Sequence, residues 1–223
     1  MTKTSIPEAG AGLQSDQAQE ALFKTLQQGV LKSGQFLSMN DLVDLLGYPL
    51  AAVREAVKGA GALGLVTILP KRGVQVMGAG PEVTRDCMDL RQIFDQEGAR
   101  RLIGSGRALN LDELRRSHDA VLMAARKAPS SAISALAIRT DLSLHDFIAA
   151  GLDNPLAQRS YAINRIRIAI VQNTRPFLHD RIVSAMEEHL AIMEALEARA
   201  VGRVEEAIAY HYRQTLVWWG VYV

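Results

Sequence analysis

Apolar residues recur at Ala18, Leu22, Leu26 and Val30, with Phe23 widening the stripe, through residues 18–31. A spacing of three to four is the mark of a helix that buries one face. Gly29, Ser33 and Gly34 end it. Ser38 followed by Asp41 predicts the next helix start, a capping hydroxyl with an acid three residues on. Leu42, Leu45 and Leu46 give that helix its buried side and Gly47 stops it. Pro49 is expected at the first position of a third helix, where a proline forfeits no intrahelical hydrogen bond. Gly59 and Gly61 each cost about 1 kcal/mol against alanine inside a helix, so this helix is expected to be short or frayed at its end. Beyond Gly64 the pattern changes to two β-prone runs, residues 65–69 and 74–77, around the basic turn Pro70-Lys71-Arg72-Gly73. They predict a hairpin.

From residue 82 onward the period is helical almost without interruption. Segments 90–103, 112–126, 131–152, 155–173, 181–200 and 203–220 each carry an apolar stripe. Asn154-Pro155 predicts a sharp turn, and Gly202 is expected to separate the last two segments. Gly78-Ala79-Gly80-Pro81 marks the boundary between the halves. The expected organisation is a disordered lead at 1–14, a winged helix-turn-helix at 15–78, a linker at 79–83 and an all-helical domain at 84–223. The fold class is mainly α: a small β-hairpin wing on the first domain, and an antiparallel helical bundle around a central cavity in the second.

Composition narrows this picture. With 223 residues, 48% of them hydrophobic and 22% charged, the chain can bury a sizeable core. Its single cysteine, Cys87, excludes a disulfide framework and a cysteine-based zinc module. There is no membrane-length apolar run, and residues 1–16 lack the apolar core of a signal peptide, so a cytoplasmic location is expected. The net charge of +1 leaves nucleic-acid binding open, because local basic density decides it.

The candidate chemistry lies in the second half. Asp141 and His145 are four apart and share one helix face, while His189 and His211 sit on two later helical segments. One carboxylate and three imidazoles can converge inside a bundle. That donor set suits zinc, nickel, manganese or iron, one divalent ion per chain, with zinc favoured. The Asp-x-x-x-His pair alone is a common pattern on helices, so its context has to decide.

The order helix, helix, short turn, helix, hairpin is that of a winged helix-turn-helix. Leu37, Leu42, Leu46-Gly47, Val53-Arg54-Glu55-Ala56, Gly64-Leu65-Val66 and Arg72-Gly73-Val74-Gln75-Val76 resemble, in order, the DNA-binding domain of GntR-family regulators. Residues 84–223 resemble the all-helical FCD effector domain of the FadR subgroup. There an Asp-x-x-x-His pair is followed by a histidine about two helices later and another on the last helix, matched here by Asp141, His145, His189 and His211. The resemblance implies a metal bound by these four and a small carboxylate effector. Arg91 and Arg165 are candidates for gripping that carboxylate, since a guanidinium forms paired hydrogen bonds with it. Each also has the simpler reading of a helix arginine paired with an acid, Asp95 in the case of Arg91. His118 is expected to be solvent-exposed and His179 a turn residue. Of the adjacent Trp218 and Trp219, one is expected at an interface.

The DNA side departs from the family pattern. Where a Ser-Arg-Thr-Pro run usually heads the recognition helix, this chain has Pro49-Leu50-Ala51-Ala52, which removes the arginine able to read a guanine. Arg54, Lys58, Lys71 and Arg72 remain as candidate DNA contacts. Residues 1–80 hold seven Lys/Arg against six Asp/Glu, a local net of +1, so weak binding or an atypical operator is expected.

Taken together, the chain is expected to be a homodimeric transcription regulator, a repressor, binding double-stranded operator DNA under the control of a small acid at the metal site. The alternative is an effector-binding homologue whose DNA recognition is lost. A metal-dependent enzyme is the third reading, disfavoured because no general base is evident beside the ligands: Glu188 adjoins His189 in sequence but points about 100° away from it.

Overall fold

A computed structural model describes residues 9–127, 130–175 and 178–221. The chain divides into two units, one of residues 1–80 with 166–174, the other of residues 81–165 with 175–223.

In the first unit, α1 (Ala9–Gln27) packs on α3 (Leu50–Ala62). Ala18, Leu22 and Leu26 meet Val53, Ala56, Val57 and Ala60 in one buried core. Helix α1 already runs through residues 9–14, where a disordered lead was expected; residues 1–8 lie outside the described ones. Once packing secures the segment from Ala18 onward, adding a turn upstream is cheap, because nucleation rather than extension limits a helix. The helix ends at Gln27, so Val30 falls outside the stripe and is exposed, and Leu31 takes the buried place.

Helix α2 (Met39–Leu46) starts with the predicted capping box: Asp41 N–H donates to the Ser38 hydroxyl and Ser38 N–H donates to the Asp41 carboxylate. Pro49 stands one residue earlier than expected. Its ψ of 147° is extended, making it the residue that precedes α3. Helix α3 is not cut short by its glycines and runs on to Ala62. A Cβ at Gly59 would lie 2.3 Å from Gln19 Nε2, so the glycine there admits α1.

The hairpin is β2 (Val66–Leu69) with β3 (Gly73–Val76), and a further strand, β1 (Phe36–Leu37), pairs with the far edge of β3. The antiparallel order is β1-β3-β2, with Leu37 opposite Val74 and Ile68 opposite the same residue from the other side. Two residues carry too little periodicity to be read as a strand, which is why β1 was not foreseen.

The second unit contains α4 (Pro81–Gly104), α5 (Asp112–Lys127), α6 (Ser131–Ala150), the first part of α7 (Pro155–Gln172), α8 (His179–Glu197) and α9 (Val201–Trp218). Helix α4 takes in residues 81–83 of the expected linker, since Pro81 is suited to a first helical position. Gly202 lies inside α9, and the break before it is at Arg199, whose φ is 52° and whose guanidinium donates to the Ile103 and Arg107 carbonyls. Residues 166–174 belong with the first unit: Ile166 and Ile170 enter its core and Arg167 donates to the Leu63 carbonyl. Among the described residues no helix is long and apolar enough to cross a membrane.

In the second unit, α4 packs on α6 and α9, α5 on α6 and α8, and α8 on α6 and α9. Helices α4 and α6 come close at Gly98, where a Cβ would sit 2.4 Å from the Ile148 carbonyl oxygen. One turn away along each helix stand Asp95 and His145. The close approach therefore sets the separation at which they meet.

Candidate metal centre

Asp141, His145, His189 and His211 are all buried, and one ligand atom from each lies within 4.8 Å of the others. Helix α6 supplies Asp141 and His145 from one face, as the four-residue spacing requires, while α8 and α9 supply His189 and His211.

Each imidazole is held from behind through Nδ1. His145 Nδ1 lies 2.7 Å from Asp95 Oδ2, and His211 Nδ1 lies 2.6 Å from Glu188 Oε2. An ionised carboxylate only accepts, so with Asp95 and Glu188 ionised both rings carry the hydrogen on Nδ1 and leave Nε2 as a lone pair. His189 Nδ1 lies 3.1 Å from His118 Nε2. The three Nε2 atoms face inward. His145 Nε2 is buried with no hydrogen-bond partner, and His189 Nε2 stands 3.3 Å from His211 Nε2 and 3.5 Å from Asp141 Oδ1. Lone pairs this close repel unless a cation lies between them. An orphaned buried nitrogen, two nitrogens pointed at each other and a carboxylate fit a divalent ion.

The surrounding charges support the same reading. Burial pushes His145 and His189 well below the ordinary imidazole range, with the Arg91 guanidinium adding to it, and burial also lowers His211 against the pull of Glu188. These are neutral rings, the form that binds a metal. Burial opposes the ionisation of Asp141, yet Arg91 and the histidines keep its carboxyl below its usual value. Burial pushes Asp95 up to about 7, against the pull of Arg91. Behind His211, Glu188 accepts from Arg181 Nη1 at 2.6 Å, and Arg181 Nη2 donates to Thr215 Oγ1 at 2.8 Å.

The other expected residues fall out as follows. Arg91 is buried beside the cluster, its Nε 3.7 Å from Asp95 and its Nη2 3.6 Å from Asp141 without a hydrogen bond. Arg165 is engaged elsewhere, its guanidinium donating twice to Asp146 at 2.6 and 2.8 Å. His118 is fully buried, where an exposed position was expected. Glu188 turns to His211 on α9 rather than to its neighbour His189. Helix α8 begins at His179, whose side chain lies outside the described residues. Trp219 lies under the Arg175 guanidinium, 5.2 Å from its ring centroid, while Trp218 is exposed.

Where a central cavity was expected, the described residues pack closely: a recess of about 10 Å³, lined by Arg91, Asp95 and His211 among others, adjoins the cluster, and a cleft of about 510 Å³ lined by Glu188, Ala191 and Tyr210 among others opens between α8 and α9. Inward-pointing imidazoles and guanidinia occupy the space that smaller side chains would have left open. In the first unit Arg54 and Lys58 are exposed on α3, Lys58 bonded to Glu55 at 2.7 Å, and Lys71 and Arg72 are exposed in the β2–β3 turn.

Asp95, His118, Arg181 and Thr215 were not singled out as parts of a site, although a signal exists for some. His118 lies on the stripe shared by Val121, Leu122 and Ala125, and Arg181 and Glu188 are seven apart, hence on one face.

The model of the FCD domain matches residues 86–214. Among solved structures, E. coli McbR/YncC has a TM-score of 0.75 at 16% identity, covering 92% of this chain and 95% of that one. A putative transcriptional regulator GntR from Rhodococcus sp. RHA1 has a TM-score of 0.73 at 16% identity, covering 94% and 99%. Lar of Listeria monocytogenes, which controls expression of the agr system, has a TM-score of 0.57 at 13% identity, covering 98% and 99%. At these identities the likeness is one of fold. No curated protein sequence matches this chain.

Proposed function

The chain belongs to the FCD family, here joined to the winged helix of GntR-type transcription regulators, and on that premise we propose that it is a cytoplasmic, homodimeric, metal-dependent repressor. The observation that carries the metal assignment is the convergence of one nitrogen each from His145, His189 and His211 with the Asp141 carboxylate within 4.8 Å, His145 Nε2 among them without a hydrogen-bond partner. One divalent ion per chain, zinc by preference, is held there by Asp141, His145, His189 and His211. When bound, the ion supplies a fixed positive charge toward which an anionic small molecule is drawn. Asp95 and Glu188 orient two of the three imidazoles, and Arg181 holds Glu188 in place.

Arg91 is the residue we assign to the effector. Its Nη2 is buried without a hydrogen bond, 3.6 Å from a ligand carboxylate. A small organic acid that pairs with this guanidinium must first widen the 10 Å³ recess. Effector binding therefore selects a bundle conformation other than the closed one, and a preference of that kind is what an effector needs to change DNA affinity. Arg165, already paired with Asp146, is not retained in this role. Operator DNA is contacted through α3 and the hairpin turn by Arg54, Lys58, Lys71 and Arg72, and a homodimer matches the two-fold symmetry of an operator.

Metal analysis by plasma mass spectrometry on the untagged protein tests the site. About one divalent ion per chain, lost in the His145→Ala/His189→Ala variant, is the expected result. A native protein that takes up no zinc, nickel or manganese would refute the reading.

A further inference from the structure

His118 is buried on α5, and both of its ring nitrogens are engaged. Its Nδ1 lies 2.7 Å from the Leu114 carbonyl oxygen. A carbonyl only accepts, so the hydrogen of this neutral ring is on Nδ1, and Nε2 is a lone pair. His189 Nδ1 is 3.1 Å from that lone pair and must donate to it. His189 then has its hydrogen on Nδ1 and its own lone pair on Nε2, toward the other ligands. We propose that His118 is a positioning residue for the metal: it fixes the tautomer of His189 from a neighbouring helix, so the Leu114 carbonyl determines which His189 nitrogen is free. The inference rests on the metal-site reading given above.

The three inward rings show why a neutral partner stands at this point. His145 is held by the Asp95 carboxylate and His211 by the Glu188 carboxylate. With Asp141, that places three carboxylates around the cluster, and two buried guanidinia, Arg91 and Arg181, face them. A carboxylate behind His189 would add a fourth buried anion with no further cation shown to offset it. An imidazole accepts the same hydrogen bond without adding charge. His118 is not a fifth ligand, because its only lone pair is spent on His189. A plain core residue would serve as well with an apolar side chain, and that distinction can be measured.

Nitrogen-15 histidine NMR of the metal-free native protein reads the tautomers directly. His118 and His189 are both expected with hydrogen on Nδ1; a His189 carrying it on Nε2 would overturn the proposal without any substitution. Zinc competition titrations then compare the native protein with His118→Phe and His118→Gln. Phenylalanine fills the space but accepts nothing, and a loss of about 10- to 100-fold in zinc affinity is expected. Glutamine offers an amide oxygen to the same N–H and should bind within a few-fold of native, with His189 still in the Nδ1–H form. Native-like zinc affinity in His118→Phe would overturn the role of His118 and leave the metal site standing. Failure of the native protein itself to bind zinc would refute the metal reading and the ligand role with it. If His118→Phe does not fold, His118→Gln and the native tautomers still decide: a glutamine variant that loses the Nδ1–H form of His189 overturns the proposal.

Discussion

The polar residues of the helical unit and the basic residues of the winged unit are arranged on opposite principles. Around the cluster, Arg91, Asp95, His118, Asp141, His145, Arg181, Glu188, His189 and His211 are buried together, and the partner of one atom fixes the role of the next. Arg54, Lys58, Lys71 and Arg72 are exposed, and the one bonded pair among them, Lys58 with Glu55, joins neighbours on a single helix. A buried polar group without partners costs about 1–3 kcal/mol, so a network of them persists only if something satisfies it. Water satisfies exposed cations wherever they lie. Structure therefore restricts the chemistry of the first region closely and of the second hardly at all.

The largest effect that separates the two regions is metal-linked stability. At free zinc about 1,000 times its dissociation constant, binding to the folded state alone adds roughly 4 kcal/mol. Thermal unfolding of the native protein should shift upward accordingly. His189→Ala should lose the shift, and Lys71→Ala/Arg72→Ala should keep it whole. An equal zinc response in the native protein and His189→Ala would place the ion elsewhere.

Acid provides the next test, in the metal-free protein. Burial, first among the causes, holds His118, His145, His189 and His211 below the ordinary imidazole value of 6.5. The unfolded chain then binds more protons, so this contribution to stability is complete above about pH 6.5 and is lost as the pH falls. Each ring that stays neutral in the fold costs about 1.4 kcal/mol per pH unit in that range. Asp95 acts in the opposite sense: with its carboxyl pushed up to about 7, the folded state takes up that proton first and gains stability as the pH falls toward 3.8. Asp141 and Glu188, which face Arg91 and Arg181 and are both held below their usual values, add a loss only at lower pH. The histidines outnumber Asp95, and denaturant titrations should show a less stable protein near pH 5.5 than near pH 7.5. The slope should flatten in His145→Ala/His189→Ala; an unchanged slope would mean that these rings do not titrate with folding.

Much of this was legible in the sequence, and the misses have a common cause. Helix periods, the Ser38–Asp41 capping box and the shared face of Asp141 and His145 are written in local spacing, while His189 and His211 join them through the resemblance to the FCD pattern. Glu188 was set aside because it cannot serve its sequence neighbour, yet it serves His211, 23 positions on. His118 looked like an exposed polar residue until α8 supplied its partner, 71 positions away. The filled centre likewise depends on which arginines turn inward. Those relations are set by interhelical distance, which no local pattern records.

Gly98, with Gly151 at the end of α6 pressed against Leu102 and the Gly98 carbonyl, sets that distance between α4 and α6, and replacing Gly98 sharpens the comparison further. Gly98→Ala puts a methyl 2.4 Å from the Ile148 carbonyl oxygen, so α4 must move off α6. Overpacking of this kind costs about 1–3 kcal/mol, and it should stretch the 2.7 Å contact between Asp95 and His145. Reduced stability with weaker zinc binding is expected from denaturant and zinc titrations together. Lost stability with native zinc affinity would show that Asp95 does not depend on the spacing of the helices. Gly202→Ala, at a glycine in α9 with nothing within 4 Å, is the control: it should leave zinc affinity unchanged and raise stability by up to about 1 kcal/mol instead of lowering it.

The smallest effect belongs to the winged unit. Exposed charges of this kind contribute up to about 1 kcal/mol each, and Lys71→Ala/Arg72→Ala should leave folding unchanged. Its signature is in DNA binding instead. Each phosphate contact contributes roughly 0.9 to the slope of log affinity against log salt, so removing two should lower that slope by about 1.8 and weaken binding to all duplex sequences alike. An unchanged slope would remove the hairpin turn from the DNA surface. A loss confined to one sequence would mean that the turn reads bases, a task that falls to few other groups on a chain whose α3 begins with Leu50-Ala51-Ala52.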